Sequence, residues 1–131
     1  MLNKSFICGR FTRDPELKST QAGTSVVSFS VACDRDFKGE NEERKTDFIN
    51  CVAWKGTAEF ISKYFRRGSM AIIEGRLETR TWDDAEGKKR TATEVIVNNI
   101  CFGESKKEVS EGITDSYEPD VPMGTDGDLP F

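Results

Sequence analysis

The sequence predicts an all-β domain with one short helix, followed by an acidic tail that has no fold of its own. Apolar and polar residues alternate with a period of two over most of the first hundred residues, which is the pattern of half-buried strands. One short segment places apolar residues at helical spacing instead. After Gly103 the periodicity ends, and the remaining residues are too polar to bury a core.

Five strands are predicted. The clearest one places Val27, Phe29, Val31 and Cys33 on one face and small residues on the other. Four more segments alternate in the same way, at residues 5–11, 48–54, 70–81 and 93–101. Turn-forming residues separate these segments, so we expect neighbouring strands to pair antiparallel.

A single helix is predicted between the third and fourth strands. Ala58, Ile61 and Phe65 share one face, and residues 56–57 offer a cap at the start. Residues 66–68 supply two arginines for the last turn and a glycine beyond it. Three strands, a helix and two more strands are the order of the OB-fold, a five-stranded and partly open barrel. A simple meander and an SH3-like barrel remain alternatives from the pattern alone.

Charge is divided unevenly along the 131 residues. Residues 1–103, the expected barrel domain, hold 17 Lys and Arg against 15 Asp and Glu. Residues 104–131, the expected disordered tail, hold two Lys against eight acids. The asymmetry indicates a body that meets an anionic partner and a tail with another role. The overall charge of −4 therefore does not exclude binding to nucleic acid.

Composition argues against an enzyme. Histidine, the commonest general base, is absent, and no pattern of a zinc protease, serine hydrolase or P-loop occurs. We expect no catalytic residue, metal or cofactor.

No apolar run reaches the ~18 residues of a membrane span, and the start lacks the apolar core of a signal peptide. The four cysteines stand apart, as expected for buried thiols in a reducing cytoplasm.

Four aromatic residues stand near strand ends beside basic residues, where a core does not need them. They are Phe37, Phe48, Trp54 and Trp82. Flat rings that stack on bases, with cations to follow the phosphates, are what binding of a single nucleic-acid strand requires. Five other aromatics fit apolar faces and are expected in the core: Phe6, Phe11, Phe29, Phe60 and Phe65.

Basic residues near these rings are candidate phosphate contacts. Lys55 follows Trp54, Arg80 precedes Trp82, and a basic triplet lies in the turn beyond. The full candidate set is Arg10, Arg35, Lys55, Arg76, Arg80, Lys88, Lys89 and Arg90.

Residues 126–131 combine acidic and apolar character. Asp126 and Asp128 precede Leu129, Pro130 and Phe131, so a proline stiffens the backbone between two large apolar side chains. Such a peptide suits an apolar pocket rimmed by Lys or Arg. We expect this tip to bind partner proteins.

The chain resembles the bacterial single-stranded DNA-binding protein family. The resemblance rests on an ordered set of motifs: residues 8–11 (CGRF), 13–16 (RDPE), 48–54 (FINCVAW), 64–69 (YFRRGS), 73–77 (IEGRL), 79–82 (TRTW) and 128–131 (DLPF). It implies an OB-fold that assembles as a homotetramer and binds single-stranded DNA in the cytoplasm, at the nucleoid. It also implies roles in replication, recombination and repair.

The same resemblance implies roles for particular residues. The family's stacking aromatics match the four aromatics near the strand ends, and its partner-recruiting tip matches residues 126–131. Two features depart from the family. Gly127 and Leu129 stand where the tip usually has Asp and Ile, and the tail lacks a long linker rich in Gly, Gln and Pro.

Two other functions remain open from the residues alone. An OB-fold RNA-binding module of the cold-shock or ribosomal type would cluster its aromatics tightly on adjacent strands, and it would have no reason for the DLPF segment. An interaction protein whose barrel only oligomerises would not need exposed rings beside Lys55, Arg80 and Lys88. Titration with single-stranded DNA, duplex DNA and RNA separates the three.

Overall fold

Six strands and one helix make up the part of the chain that the structure describes. The structure is a computed structural model and describes residues 1–36 and 43–104. The elements are β1 (Ser5–Phe11), β2 (Lys18–Ser19), β3 (Ser25–Asp34), β4 (Thr46–Trp54), α1 (Lys55–Tyr64), β5 (Met70–Asp83) and β6 (Lys89–Phe102). The five predicted strands correspond to β1, β3, β4, β5 and β6, and the two-residue β2 is additional.

The five long strands close into a ring. β1 pairs with β5, β5 with β6, β6 with β4, β4 with β3, and β3 returns to β1, while β2 pairs with the start of β3. This is the predicted OB-fold barrel, with its helix between the third and fourth long strands. β4 and β6 run parallel, and among the described strands β4 and β5 do not pair with each other. The expectation that all neighbouring strands pair antiparallel is therefore wrong for β4. The helix that follows β4 carries the chain across the barrel, so the neighbour of β4 on that side is the parallel strand β6.

The predicted alternation places the core. Val27, Phe29 and Val31 of β3 are buried, and Cys33 packs against the same cluster. The other long strands and the helical segment contribute the remaining buried side chains of the cluster: Phe11, Cys51, Ala53, Ala58, Ile61, Phe65, Ala71, Ile73, Val95 and Val97. Removing this apolar surface from water is the main force that holds the barrel closed.

Two aromatics predicted for the core are exposed. Phe6 is 75% exposed and Phe60 is 38% exposed. Phe6 and Phe11 are an odd number of positions apart on β1, so they point to opposite faces of the strand. Because Phe11 is buried in the core, Phe6 lies on the outside of the barrel.

Both ends of α1 differ from the prediction. The N-cap is Trp54, which makes no side-chain cap hydrogen bond. The helix ends at Tyr64 because Phe65 adopts an extended backbone conformation. The arginines at residues 66–67 therefore follow the helix instead of closing its last turn. Gly68 does adopt the left-handed conformation, with φ of 89°, within the turn that leads to β5.

All four cysteines are free thiols. Cys51 is buried, and this burial raises its pKa to about 12. Cys33 is half-buried, whereas Cys8 and Cys101 are exposed. The prediction of buried thiols is thus correct for Cys51 and wrong for Cys8 and Cys101, which lie on the outward-facing positions of β1 and β6.

Candidate nucleic-acid interface

Three of the four predicted stacking aromatics belong to the described residues, and all three are exposed. The exposed fraction is 66% for Phe48 and 41% for both Trp54 and Trp82, against 2% for the core residue Phe11. Phe37 lies outside the described residues. Large rings left open to water are available to cover a ligand's apolar faces.

The strand register places these three rings on one face of the sheet. The two rings of β4 share their face with Val52, since side chains alternate along a strand. Val52 lies opposite Ile96 of β6, and Ile96 lies opposite Arg76 of β5. Arg76 shares its face with Trp82 by the same alternation. All three rings therefore project from the outer surface of the barrel.

This outer face forms a path instead of a single pocket. Phe48 and Trp54 lie at opposite ends of the exposed face of β4, about 20 Å apart at the usual rise of a strand. Because β4 and β6 run parallel, the start of β6 lies toward Phe48. Trp82 lies opposite Arg90 near that start. A ligand that reaches all three rings must be extended.

Trp54 occupies the junction between β4 and α1. Its own backbone is extended, and the next residue, Lys55, has a φ of 57°. This left-handed conformation is uncommon for a residue with a side chain. The single left-handed residue turns the chain from strand into helix. It leaves Trp54 at the exposed end of the strand, with a cation next to it in the chain.

Trp82 is stacked with Arg80, which is itself paired with a carboxylate. The guanidinium carbon of Arg80 lies 4.7 Å from the centre of the Trp82 ring, which is a cation–π contact. Nε and Nη2 of Arg80 donate to the two carboxylate oxygens of Glu94 at 3.2 and 3.3 Å. The Glu94 side chain is only 15% exposed. Arg80 is thus held between the ring and the carboxylate.

Six of the eight predicted phosphate contacts already have a carboxylate partner. The ion pairs are Arg10–Glu104, Arg35–Asp47, Arg76–Glu78, Arg80–Glu94, Lys89–Asp83 and Arg90–Asp84. Lys55 and Lys88 form no ion pair within the part of the chain that the structure describes. Exposed ion pairs contribute little to stability, so a phosphate can compete for these cations.

Two of the paired carboxylates are held in their charged form. The pKa of Asp47 is lowered because Arg35 donates two hydrogen bonds to its oxygens. The pKa of Asp84 is lowered first by the backbone N–H of Lys88 and then by the side chain of Arg90. These hydrogen bonds hold the side chain of Arg35 near the end of β3 and that of Arg90 near the start of β6.

The register brings further cations into line with the rings. Arg10 lies opposite Ala32, which lies opposite Phe48. Lys18 likewise lies opposite Val26, which lies opposite Trp54. Residues directly opposite each other share a face, and two strand spacings amount to about 10 Å. Each ring of β4 therefore has a cation in its own row across the sheet.

Sequence reasoning missed Lys18 and its neighbour Arg13. The two residues line a cleft of about 320 Å³ together with Asp14, Glu16, Val26 and Ser28. β2 is too short to show alternation, and its pairing with β3 is what sets Lys18 in the row of Trp54, with Val26 between them. The RDPE motif at residues 13–16 was the only signal in the sequence that pointed to this region.

Several predictions fall outside the described residues or concern other kinds of site. The partner-binding tip (Asp126, Asp128, Leu129, Pro130 and Phe131) lies beyond the last described residue, Glu104. Within residues 1–36 and 43–104, no helix is long and apolar enough to cross a membrane. No group of three or more His, Cys, Asp or Glu in those ranges could hold a metal ion.

Known proteins resemble this chain over most of its length. A sequence profile of the Single-strand binding protein family matches residues 2–102. The chain is 42% identical over 114 residues to Single-stranded DNA-binding protein 2 of Listeria monocytogenes serovar 1/2a, which covers 87% of this chain and 71% of the relative. It is 40% identical over 129 residues to a Single-stranded DNA-binding protein of Halalkalibacterium halodurans, covering 95% and 77%.

A third relative gives the same result. Single-stranded DNA-binding protein 1 of Staphylococcus aureus is 46% identical over 106 residues, covering 81% of this chain and 68% of the relative. The family profile spans nearly the whole described barrel and the three exposed rings. This chain is a member of the single-strand binding protein family, a family of DNA-binding proteins.

Proposed function

We propose that the outer face of this barrel binds single-stranded DNA by stacking bases of one extended strand on Phe48, Trp54 and Trp82, with Phe37 as a fourth platform. The observation that carries the proposal is the placement of three exposed rings on one continuous face. Stacking contributes ~1–3 kcal/mol per base and tolerates every base, since each has a π-face. Binding is therefore independent of sequence, and the protein acts as a binder and not as an enzyme.

The phosphates follow the cations beside the rings. Lys55 and Lys88 come first, because no described carboxylate holds them, and Lys18 joins them through its position in the row of Trp54. Five of the six other predicted phosphate-binding residues, all but Arg80, exchange a carboxylate for a phosphate: Arg10, Arg35, Arg76, Lys89 and Arg90. Neutralising any one of these cations should flatten the dependence of log K on log salt by about 0.7.

The outer face of β1 supports assembly into a homotetramer. Residues 5–9 of β1 pair with β5, and among the described strands β3 reaches only Arg10 and Phe11. One edge of β1 is therefore open to another strand. Phe6 and Ile72 are exposed beside this edge, at 75% and 46%, and an apolar patch next to an unpaired edge favours contact with a second copy of the chain.

The acidic tail has a separate role in this proposal. Residues 1–103 form the DNA-binding domain, and residues 104–131 form a tail whose tip recruits replication, recombination and repair proteins. The two apolar side chains within an acidic segment, Leu129 and Phe131, support docking into an apolar pocket with a basic rim. The protein then works in the cytoplasm, on exposed strands at the nucleoid.

Titration of the intrinsic tryptophan fluorescence tests the DNA-binding proposal. The two tryptophans both lie on the proposed path, so stacked bases should quench their emission. We expect strong quenching by unstructured single-stranded DNA and none by duplex DNA at equal nucleotide concentration. Equal or stronger quenching by RNA of the same sequence would favour an RNA-binding module instead. If none of the three nucleic acids quenches the emission, the DNA-binding proposal is wrong, and only a role in assembly remains for the barrel.

A further inference from the structure

We propose that Glu94 is a positioning residue for DNA binding, because it fixes Arg80 against one face of Trp82 and so presents the opposite face of the ring to a base. The inference rests on the proposed stacking role of Trp82. It assigns Arg80 to the ring instead of to a phosphate, contrary to the prediction from sequence.

The register of β5 and β6 builds this arrangement. Arg80 and Trp82 are two positions apart on the outer face of β5. Arg80 lies opposite Ala92, and Glu94 lies one outward-facing position further along β6. A small side chain opposite Arg80 leaves the guanidinium free to reach diagonally to Glu94. The two hydrogen bonds at 3.2 and 3.3 Å engage two of its nitrogens.

The position of the guanidinium on the ring has a consequence for stacking. A guanidinium 4.7 Å from the ring centre covers one face of Trp82, so a base can stack only on the other. Holding the ring in one orientation before DNA arrives removes part of the ordering cost of binding. A cation on the covered face also interacts with the ring's electron density, and planar groups commonly stack in this way.

Charge and positioning predict opposite effects for the removal of Glu94. A carboxylate near a DNA path repels phosphates, so removal of its charge alone should strengthen binding. If Glu94 positions Arg80 and Trp82, removal of its charge should weaken binding, since the guanidinium then loses its ion pair and one of its two carboxylate acceptors. The sign of the change in affinity therefore separates the two roles.

The experiment compares Glu94→Gln with Glu78→Gln in the full chain. Glu78 lies directly opposite Glu94 in the ladder and pairs with Arg76, so it is a matched charge removal on the same face. Dissociation constants for unstructured single-stranded DNA are measured at fixed salt. We expect Glu94→Gln to weaken binding about two- to fivefold, as befits an exposed cation–π contact, and Glu78→Gln to strengthen binding slightly.

Two further variants test whether Glu94 acts through Arg80 and Trp82. Arg80→Lys retains the charge but cannot hold a planar, two-nitrogen contact, so it should weaken binding as Glu94→Gln does. With Trp54→Phe, Trp82 is the only tryptophan of the chain, and its fluorescence in the free protein reports the ring directly. Glu94→Gln in that background should make Trp82 more accessible to a soluble quencher while the melting temperature confirms a folded barrel.

The outcomes separate this inference from the proposed function. If Trp82→Ala weakens binding and Glu94→Gln strengthens it, Trp82 stacks on DNA and Glu94 does not position it. If Trp82→Ala leaves binding unchanged, the stacking role of Trp82 itself is wrong. In the Trp82→Ala background, Glu94→Gln should no longer weaken binding. An undiminished effect of Glu94→Gln there would mean that Glu94 acts on DNA binding by another route.

Discussion

At the scale of single residues, the face of the strand decides what an aromatic side chain does. Phe29 and Phe48 lie on neighbouring strands, yet one is 4% exposed and the other 66% exposed. Ala32, on the outer face of β3, lies opposite Phe48, whereas Phe29 faces the core opposite Cys51. The identity of the residue is the same, so only its position in the alternation separates packing in the core from exposure on the proposed DNA-binding face.

Trp54→Ala should weaken binding to single-stranded DNA by roughly 1–3 kcal/mol, because the variant lacks one stacking platform. The barrel should stay folded, since Trp54 is 41% exposed and its side chain makes no cap hydrogen bond to α1. Affinity titrations and thermal melts check the two halves of this prediction. Phe29→Ala is the control, and there we expect a large decrease in stability. A Trp54→Ala protein that melts early yet binds DNA normally would make Trp54 a core residue.

At the scale of elements, the hairpin of β5 and β6 depends on one glycine. A Cβ on Gly75 would overlap the carbonyl oxygen of Ile96 on the neighbouring strand. Gly75 also borders the irregularity in the register between these two strands. The backbones of β5 and β6 approach closely at this position. Their close approach continues the row of paired residues that runs from β4 across β6 to β5, and so it keeps the outer face continuous.

Gly75→Ala should destabilise the barrel by about 1–3 kcal/mol, as expected when a packed site is overfilled against backbone. Gly56→Ala is the matched control, because a Cβ at Gly56 meets no atom within 4 Å. An alanine within α1 should be neutral or stabilising by up to about 1 kcal/mol. Chemical denaturation of both variants measures the difference. Equal stability of the two would show that β5 and β6 can separate without cost.

At the scale of the whole molecule, charge and exposed apolar surface are segregated. Residues 1–103 carry a formal balance of +2 (17 − 15), and residues 104–131 carry −6 (2 − 8), so all of the excess acid lies in residues 104–131. Phe6 of β1 and Ile72 of β5 are exposed on the outer surface, near the open edge of β1. The proposed assembly, DNA binding and partner recruitment would therefore use different parts of the chain.

Phe6→Glu should dissociate the proposed tetramer, because it places a charge in the apolar patch and next to Glu74, its neighbour across the ladder. Light scattering over a range of protein concentrations measures the mass. Leu17→Glu is the control, since Leu17 is also exposed, at 46%, but lies outside β1 and β5. A Phe6→Glu protein that keeps the mass of the parent would exclude this face from the subunit contact.

Deletion of residues 126–131 should abolish partner binding and leave affinity for single-stranded DNA unchanged or slightly raised. The tip holds no group that stacks on bases in this proposal, and the acidic tail competes with phosphates most strongly at low salt. Phe131→Ala alone should cost about 2 kcal/mol of partner binding, roughly a thirtyfold decrease in affinity. Pull-downs from bacterial lysate with intact and truncated protein, beside DNA titrations, make the test. A truncated protein that fails to bind DNA but retains the partners would reverse the proposed roles.

The sequence by itself determined the fold class and most of the core. Period-two alternation identified all five long strands, since burial of one face is written directly into the order of residues. It also identified Phe48, Trp54 and Trp82 as rings outside the core. It misplaced Phe6, because apolar residues on an exposed face look the same as core residues when they are read one at a time.

Only the tertiary structure decided which residues act together. Lys18 meets the row of Trp54 through the two-residue strand β2, and Glu94 reaches Arg80 across a hairpin. Such pairings depend on the register between strands, which no pattern within one strand records. The parallel pairing of β4 with β6 likewise follows from closure of the barrel. Local alternation fixes which way a side chain points, whereas closure fixes its neighbours.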